Sequence, residues 1–373
     1  LTDGTAETAL ALSAVYSCVR LLAESVAALP LCVYRDTGSR RVRVTSSSLF
    51  DQPAAYGTPF DWIYQLMTSL LTYGNAYGLV TSRDGFGFPT NIEWLRTEFV
   101  SVQEDPGYNP MLAKWFYLGR ELNREDLVHV RAFTLPGRIL GLSPIKQFAS
   151  TIASGLASLQ YGNDWFANGG VPPATFKNSQ RTVDPKASAE ITQRLTAAIR
   201  SRQPLVHGND WDFKAMTVPP DEVQFLGSMK LNATQIAAIY DVPPERAGGE
   251  PGGSLTYATQ EQDQIRLAVT TGKWCTRLEH AFYGLLPERQ YTRFNVDAMI
   301  RTDTKTRHEV FKLDRDMGLK SIDELREIDD LEPLPNGEGA DYSPLAVTVA
   351  EASAAAKPAP ADPAQPSPIR AIS

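Results

Sequence analysis

Several things are scarce in this sequence, and each shortage closes a class of function. Three cysteines in 373 residues, Cys18, Cys32 and Cys275, are too few and too widely spaced for a disulfide framework or a zinc site. They fit a reducing compartment, with buried free thiols as the plain expectation. The four histidines, His129, His207, His280 and His308, lie far apart, so no ligand cluster forms locally. His308-Glu309 opens like a zinc-protease motif, but Lys312 stands where the second histidine belongs. The glycines at 248–253 lack the lysine of a phosphate-binding loop, and Gly141-Leu142-Ser143 lacks the second glycine of a nucleophile elbow. No metal and no cofactor are therefore expected. Long apolar runs are missing too. The most apolar stretch, 8–29, carries Arg20 and Glu24, which are costly in a membrane span, so no membrane partner is expected. It also lacks the basic start and cleavage pattern of a signal peptide, and the opening Leu1 suggests a natural start already removed. Positive charge is in deficit: the formal net charge is −7, so no bulk basic field advertises nucleic-acid binding.

What is present is an ordinary globular composition, 43% hydrophobic and 21% charged, at a length that suggests two or three domains. The stretch 221–286 organises it. Residues 222–240 place Val223, Leu226, Met229, Ala233, Ile236, Ala237 and Tyr240 on one helical stripe. Asp241-Val242-Pro243-Pro244 ends that helix, because proline cannot continue the ladder and restricts the residue before it. A glycine-rich loop over 247–253 follows, with no single preferred shape, and a second helix runs from about 254 to 286.

Ahead of this stretch, the spacing predicts a helix over 8–29 with Val15, Val19, Leu22, Val26 and Leu29 on one side, then a strand at 31–34 and a hairpin at Asp36-Thr37-Gly38. Thr58-Pro59 opens a helix that buries Trp62, Ile63, Leu66, Met67, Leu70 and Leu71 and stops at Gly74. Short strands at 76–82, 91–95, 99–103, 113–118 and 127–133, with a turn at Asp105-Pro106-Gly107, predict an antiparallel sheet and an α+β domain. Ser143-Pro144 opens a helix to about 168 that is mostly small residues with only Lys146 and Asp164 charged. A lone surface helix would carry more charge, so this one wants close neighbours, some from other subunits. Residues 171–218 read as an inserted module: a strand at 174–177, a helix from Asp184-Pro185 to Arg202, and a hairpin of 205–207 with 211–216 around Gly208-Asn209. A strand at 290–295 and two highly charged helices, 297–317 and 321–330, complete the folded part. The Ala/Pro-rich end, 336–373, is expected to be disordered. An enzyme would find its best candidates in Asp126, His129 and Arg131, the last two on one strand face, although exposed sheet faces commonly carry such residues.

The order of parts resembles the bacteriophage portal protein family, the head–tail connectors of tailed phages, in its siphophage-type branch. ALALSAVYSCVRLLAESVAALPLCVY, LLTYGNAYGLV, DLVHVRAF with GLSPI, and WFANGGVPPATF carry the resemblance in the first half. IAAIYDVPPERAGG, SLTYATQEQ, FNVDAMIRTDTKTR and GLKSIDELREIDDLEPLPNG carry it in the second. Singly weak, these motifs are specific in this order over about nine-tenths of the chain. Leu95-Arg96-Thr97 departs from it, where relatives often have a proline after the strand.

The resemblance implies a portal-type α+β fold, no catalysis, and these parts: a wing at 1–142, stem helices at 143–170 and 219–240, and a clip at 171–218. A tunnel loop follows at 241–255, a long helix and strand returning to the wing at 256–296, and a helical crown at 297–335. It further implies a homo-oligomeric ring of twelve copies at the capsid vertex of the virion, assembled in the bacterial host cytoplasm. Its partners would be double-stranded DNA in the channel, the terminase large subunit, head-completion and adaptor proteins, and capsid and scaffold proteins. Arg246, Gly248, Gly249, Glu250, Gly252 and Gly253 would face the DNA, and Lys177, Arg181, Lys186 and Arg194 the terminase or adaptor. Lys230, the only charge within 223–240, would either ring the bore or meet a neighbouring subunit's carboxylate. The acidic balance suits a conduit, since a channel lined with lysine and arginine would hold DNA instead of passing it.

Overall fold

The computed structural model describes residues 5–38, 41–104, 112–167, 174–178, 184–200, 211–215, 222–249, 258–296, 304–329 and 331–342. The chain divides into two compact units, residues 1–300 and 301–373.

The first unit opens with two helices, α1 (Ala6–Leu10) and α2 (Ser13–Ala27), where periodicity predicts one over 8–29. Leu12 between them is extended (φ −81°, ψ 116°) and buried. Tertiary packing has overridden helix propensity: Leu12 leaves the helix and packs against Gly155, 2.9 Å from where a Cβ there would stand. Then come β1 (Leu31–Asp36), β2 (Arg41–Val44) and the single turn α3 (Ser48–Asp51). The hairpin between β1 and β2 stands where expected, with Gly38 N donating to Asp36 Oδ1 at 2.7 Å. Next, α4 (Pro59–Tyr73) has the expected boundaries for the expected reasons. Thr58 and Asp61 form a reciprocal capping box, Pro59 occupies the first turn, and Gly74 ends the helix at φ 72°. It buries Trp62, Ile63, Leu66, Met67, Leu70 and Leu71 against α2.

The strands β3 (Asn75–Arg83), β4 (Pro89–Trp94), β5 (Val100–Gln103), β6 (Lys114–Tyr117), β7 (Arg120–Leu122) and β8 (Leu127–Arg131) form two antiparallel sheets, β4-β3-β8 and β5-β6-β7, instead of one. Tyr77, Trp115 and Leu127 form a small apolar cluster between them. Two elements, α3 and β7, have no counterpart in the sequence reading, because three or four residues are too few to show a period. The turn at 105–107 lies outside the described residues.

The long helix expected over 143–168 is interrupted. It begins as α5 (Pro144–Gln147), capped by Ser143, and resumes as α6 (Ala149–Ala167) after Phe148 departs from helical dihedrals (φ −109°, ψ 28°). In the insertion are β9 (Ala174–Asn178), α7 (Pro185–Arg200) and β10 (Trp211–Ala215). Among the described residues β10 pairs with β9, from Trp211↔Asn178 to Ala215↔Ala174; the hairpin strand expected at 205–207 lies outside the described residues.

After α8 (Glu222–Ile239), α9 (Ala258–Phe282) returns the chain to β11 (Gln290–Phe294), which pairs with β1 in a third sheet ordered β11-β1-β2. The main apolar core draws on α2, α4, α8 and α9, with Leu22, Leu66, Met67, Ile236, Leu278 and Phe282 fully enclosed.

The second unit holds α10 (Thr304–Asp316) and α11 (Ile322–Ile328), the latter started by a Ser321–Glu324 capping box. Order reaches further than the expected boundary at 336. Asp323 N donates to Gly339 O at 3.0 Å and Tyr342 OH to Glu324 Oε1 at 2.6 Å, so 336–342 folds back on α11. Residues 343–373 lie outside the described residues.

Candidate functional site

The root of the α5–α6 rod is a clamp built from two sequence-distant segments. Asn75, the first residue of β3, is buried, and its amide pairs in both directions with the backbone of Gly141. Nδ2 donates to Gly141 O at 2.8 Å, and Gly141 N donates to Oδ1 at 2.8 Å. Ser143 Oγ donates to Thr72 O at 2.7 Å, and Ala132 N to Gly74 O at 2.9 Å. The approach is so close that a side chain on Gly74 would collide with Leu142 O, and one on Gly141 with Gly74 O. Arg277 of α9 adds bonds from Nη1 to Ala132 O at 2.7 Å and Arg131 O at 3.1 Å. The strands, the rod and α9 therefore meet at one polar joint. Sequence reasoning missed Asn75 and Gly141 as partners. An asparagine after a helix-capping glycine and a glycine before Leu-Ser-Pro were visible, but nothing local says that they meet.

From this root α6 runs beside α8. Asn232 Nδ2 donates to Thr151 O at 3.0 Å, and Gly155 leaves room for Asn232 and Leu12. The inner side of α6 is buried at Ile152 and Gly155, whereas Ala149, Ser150, Ala153, Ser154, Ala157 and Tyr161 are exposed. Of the stripe expected on α8, Ile236, Ala237 and Tyr240 are buried and Met229 and Ala233 half-buried. The side chains of Val223 and Leu226 lie outside the described residues. Lys230 is exposed on α8, beside a shallow apolar cavity of about 250 Å³ between α2, α6 and the corner described next.

The corner after α8 is more ordered than its glycines suggest. Asp241 takes a left-handed conformation (φ 55°) and its carboxylate accepts from Lys273 Nζ at 2.7 Å and Thr270 Oγ1 at 3.0 Å. The Lys273 bond, with that of Thr270, lowers the Asp241 pKa. Pro244–Ala247 is a 3₁₀ turn, and Val242 before it and Ala247 at its end join the core. Gly249 N donates to Pro244 O at 2.8 Å, and a side chain there would stand 2.6 Å from Thr234 Oγ1. The expectation of a shapeless loop is thus corrected for Gly248 and Gly249, which with Arg246 belong to a docked turn. Glu250, Gly252 and Gly253 lie outside the described residues. Of the expected clip contacts, Lys186 and Arg194 are exposed on α7 and Lys177 lies in β9 opposite Asp212. Arg181 lies outside the described residues.

The enzyme alternative does not assemble. Asp126 pairs with Arg83 at 3.1 Å, and Arg131 Nη1 donates to Ile139 O at 3.3 Å. His129 bonds Asn75 Oδ1 at 3.0 Å and packs between Tyr77 and Trp115, each 4.8 Å away. Burial, helped by Arg131 and Arg124, pulls its pKa down to about 3, so the ring stays neutral and serves the clamp. Among the described residues no group of side chains forms a metal cluster.

A profile of the phage portal protein family matches residues 13–330. The chain is 30% identical to the probable portal protein of Streptomyces phage phiC31 over 366 residues, covering 90% of this chain and 78% of the relative. Among solved structures, an HK97 family phage portal protein from Corynebacterium diphtheriae superposes with a TM-score of 0.62 at 14% identity, over 82% of this chain and all of that one. A chain from the neck of the native gene transfer agent particle, computed with C12 symmetry, superposes with a TM-score of 0.57 at 19% identity, over 89% and 94% of the two chains.

Proposed function

We infer what the parts of this chain do from one premise: it belongs to the phage portal protein family, the connectors at the capsid vertex, a structural and non-enzymatic family. The chain assembles into a closed homo-oligomeric ring, twelve-fold by analogy with the gene transfer agent neck. Duplex DNA passes through its centre during packaging and ejection. The observation that carries this reading is the exposed small-residue side of α6, Ala149, Ser150, Ala153, Ser154 and Ala157. Such a surface permits close helix approach and offers little to water, so a neighbouring copy is its natural cover.

Within that ring the α6–α8 pairs form the stem. The insertion of β9, α7 and β10, with Lys186 and Arg194 exposed, meets the terminase large subunit first and head-completion or adaptor proteins later. Residues 250–253, beyond the docked turn, reach toward the DNA. Lys230 either rings the bore or binds a neighbouring copy. The outer parts engage capsid and scaffold proteins during assembly in the host cytoplasm. ATP hydrolysis is left to the terminase.

Negative-stain images and a particle mass test the ring directly: closed rings with a central hole wide enough for a duplex are expected. A strictly monomeric particle at high concentration would overturn the assignment. Deleting 250–253 should leave rings intact and impair packaging; failure of assembly instead would remove that segment from the channel.

A further inference from the structure

The outer face of the sheet β11-β1-β2 carries a ladder of arginines and tyrosines that the ring and its channel do not require. Register decides its membership: Tyr34 stands opposite Arg43 on one side and Tyr291 on the other, Asp36 opposite Arg41, and Cys32 opposite Arg293. Residues opposite one another share a face, so Val33, Val44 and Thr292 form the inner one, with Val33 and Thr292 buried. On the outer face the Arg41 guanidinium lies 5.5 Å from the centre of the Tyr34 ring. The rings of Tyr34 and Tyr291 stack at 6.0 Å with 28° between their planes, and the Arg293 guanidinium lies 5.9 Å from the centre of Tyr291. Arg41, Arg43 and Arg293 are exposed, as is Arg289 just before β11; Arg35, opposite Val42 and Gln290, belongs to the other face. Asp36 Oδ1 accepts from Gly38 N, Glu279 accepts from Arg293 Nη1 at 2.7 Å and Phe294 N at 2.9 Å, and Glu288 is exposed. Four exposed arginines on or beside this face, Arg41, Arg43, Arg289 and Arg293, stand out in a chain of charge −7.

We propose that this face binds the phosphate backbone of duplex DNA outside the channel. A guanidinium laid on an aromatic ring is held in plane with its N–H edges turned outward, the arrangement that suits phosphate oxygens. The tyrosine faces are taken by one another and by the arginines, so they offer no platform for an unpaired base, which favours a duplex over a single strand. Concentrated positive charge on an otherwise acidic protein directs a polyanion to that one surface. The inference rests on the portal reading, which makes duplex DNA the polyanion at hand. None of the ladder residues lies on α6 or α8.

The test uses full-length protein assembled into rings and relaxed closed-circular duplex DNA, which cannot thread a closed ring and so reports outer surfaces alone. Wild-type rings should bind the circle with an affinity that falls as salt rises. Arg41→Glu with Arg43→Glu should weaken binding about tenfold or more and make the log–log salt slope shallower by about two. Arg41→Lys with Arg43→Lys should keep most of the slope. Arg41→Ala alone gives the same direction should the double reversal fail to assemble. Intact rings without affinity for the circle, unchanged binding by the reversed variant, or tighter binding of polyglutamate than of DNA would each overturn the proposal while leaving the portal reading in place. Absence of rings would take both down.

Discussion

The clamp at Asn75 and Gly141 and the exposed side of α6 lie on the same rod but are finished to different degrees. At the clamp every buried polar group of Asn75 has a partner within the chain, and two glycines admit backbones that no side chain would allow. One turn further on, α6 turns a row of alanines and serines to water. The first region is specified by one copy of the chain. The second is specified only up to the point where another copy must complete it.

Substitutions can break this contrast in graded ways. The largest loss of folding stability should come from Gly74→Ala or Gly141→Ala, about 3 kcal/mol or more, since each drives a Cβ into backbone and Gly74 also holds φ 72°. Urea unfolding of the subunit would measure it. Acid should come next. The folded-state pKa of His129 is depressed to about 3, below its unfolded value, so the unfolded chain takes up the proton first. Stability contributed there is present above about pH 6.5 and drains away as pH falls toward 4, by up to about 3 kcal/mol. His129→Gln should flatten that limb of a stability–pH curve. Asp241→Asn should matter less, under about 1 kcal/mol, because its pair with Lys273 is mostly exposed. Its carboxyl is also depressed, so its share is lost only as pH falls through the acid range, below about 4. The smallest effect on folding should be Ala153→Glu or Ala157→Glu, within about 0.5 kcal/mol, yet either should abolish rings in negative stain. If these two substitutions instead melted the subunit, the contrast between the regions would be false.

What the sequence made legible follows the range of the physics involved. α4 could be placed to the residue because Thr58, Pro59, Asp61 and Gly74 act within one turn of its ends. The stripe on α8 and the break at Asp241–Pro244 were equally local. The breaks at Leu12 and Phe148 were not legible: Leu12 answers to Gly155, far along the chain, and no residue near Phe148 announces a change of dihedral. The glycines at 248 and 249 mislead in the other direction: permissive backbone reads as shapelessness, yet Gly248 holds φ 81° and Gly249 docks against Thr234. The Asn75–Gly141 pairing, 66 residues apart, needed the fold itself.

The interruption at Phe148 has a mechanical corollary. Phe148 N still donates to Pro144 O and Ile152 N to Phe148 O, at 3.0 and 3.1 Å, so the rod is bonded on both sides of a single relaxed dihedral pair. Its geometry is that of a pin set just above a welded base. Were the rod levered sideways by cargo or by an adjoining copy, the bending would gather at that pin and spare the weld beneath.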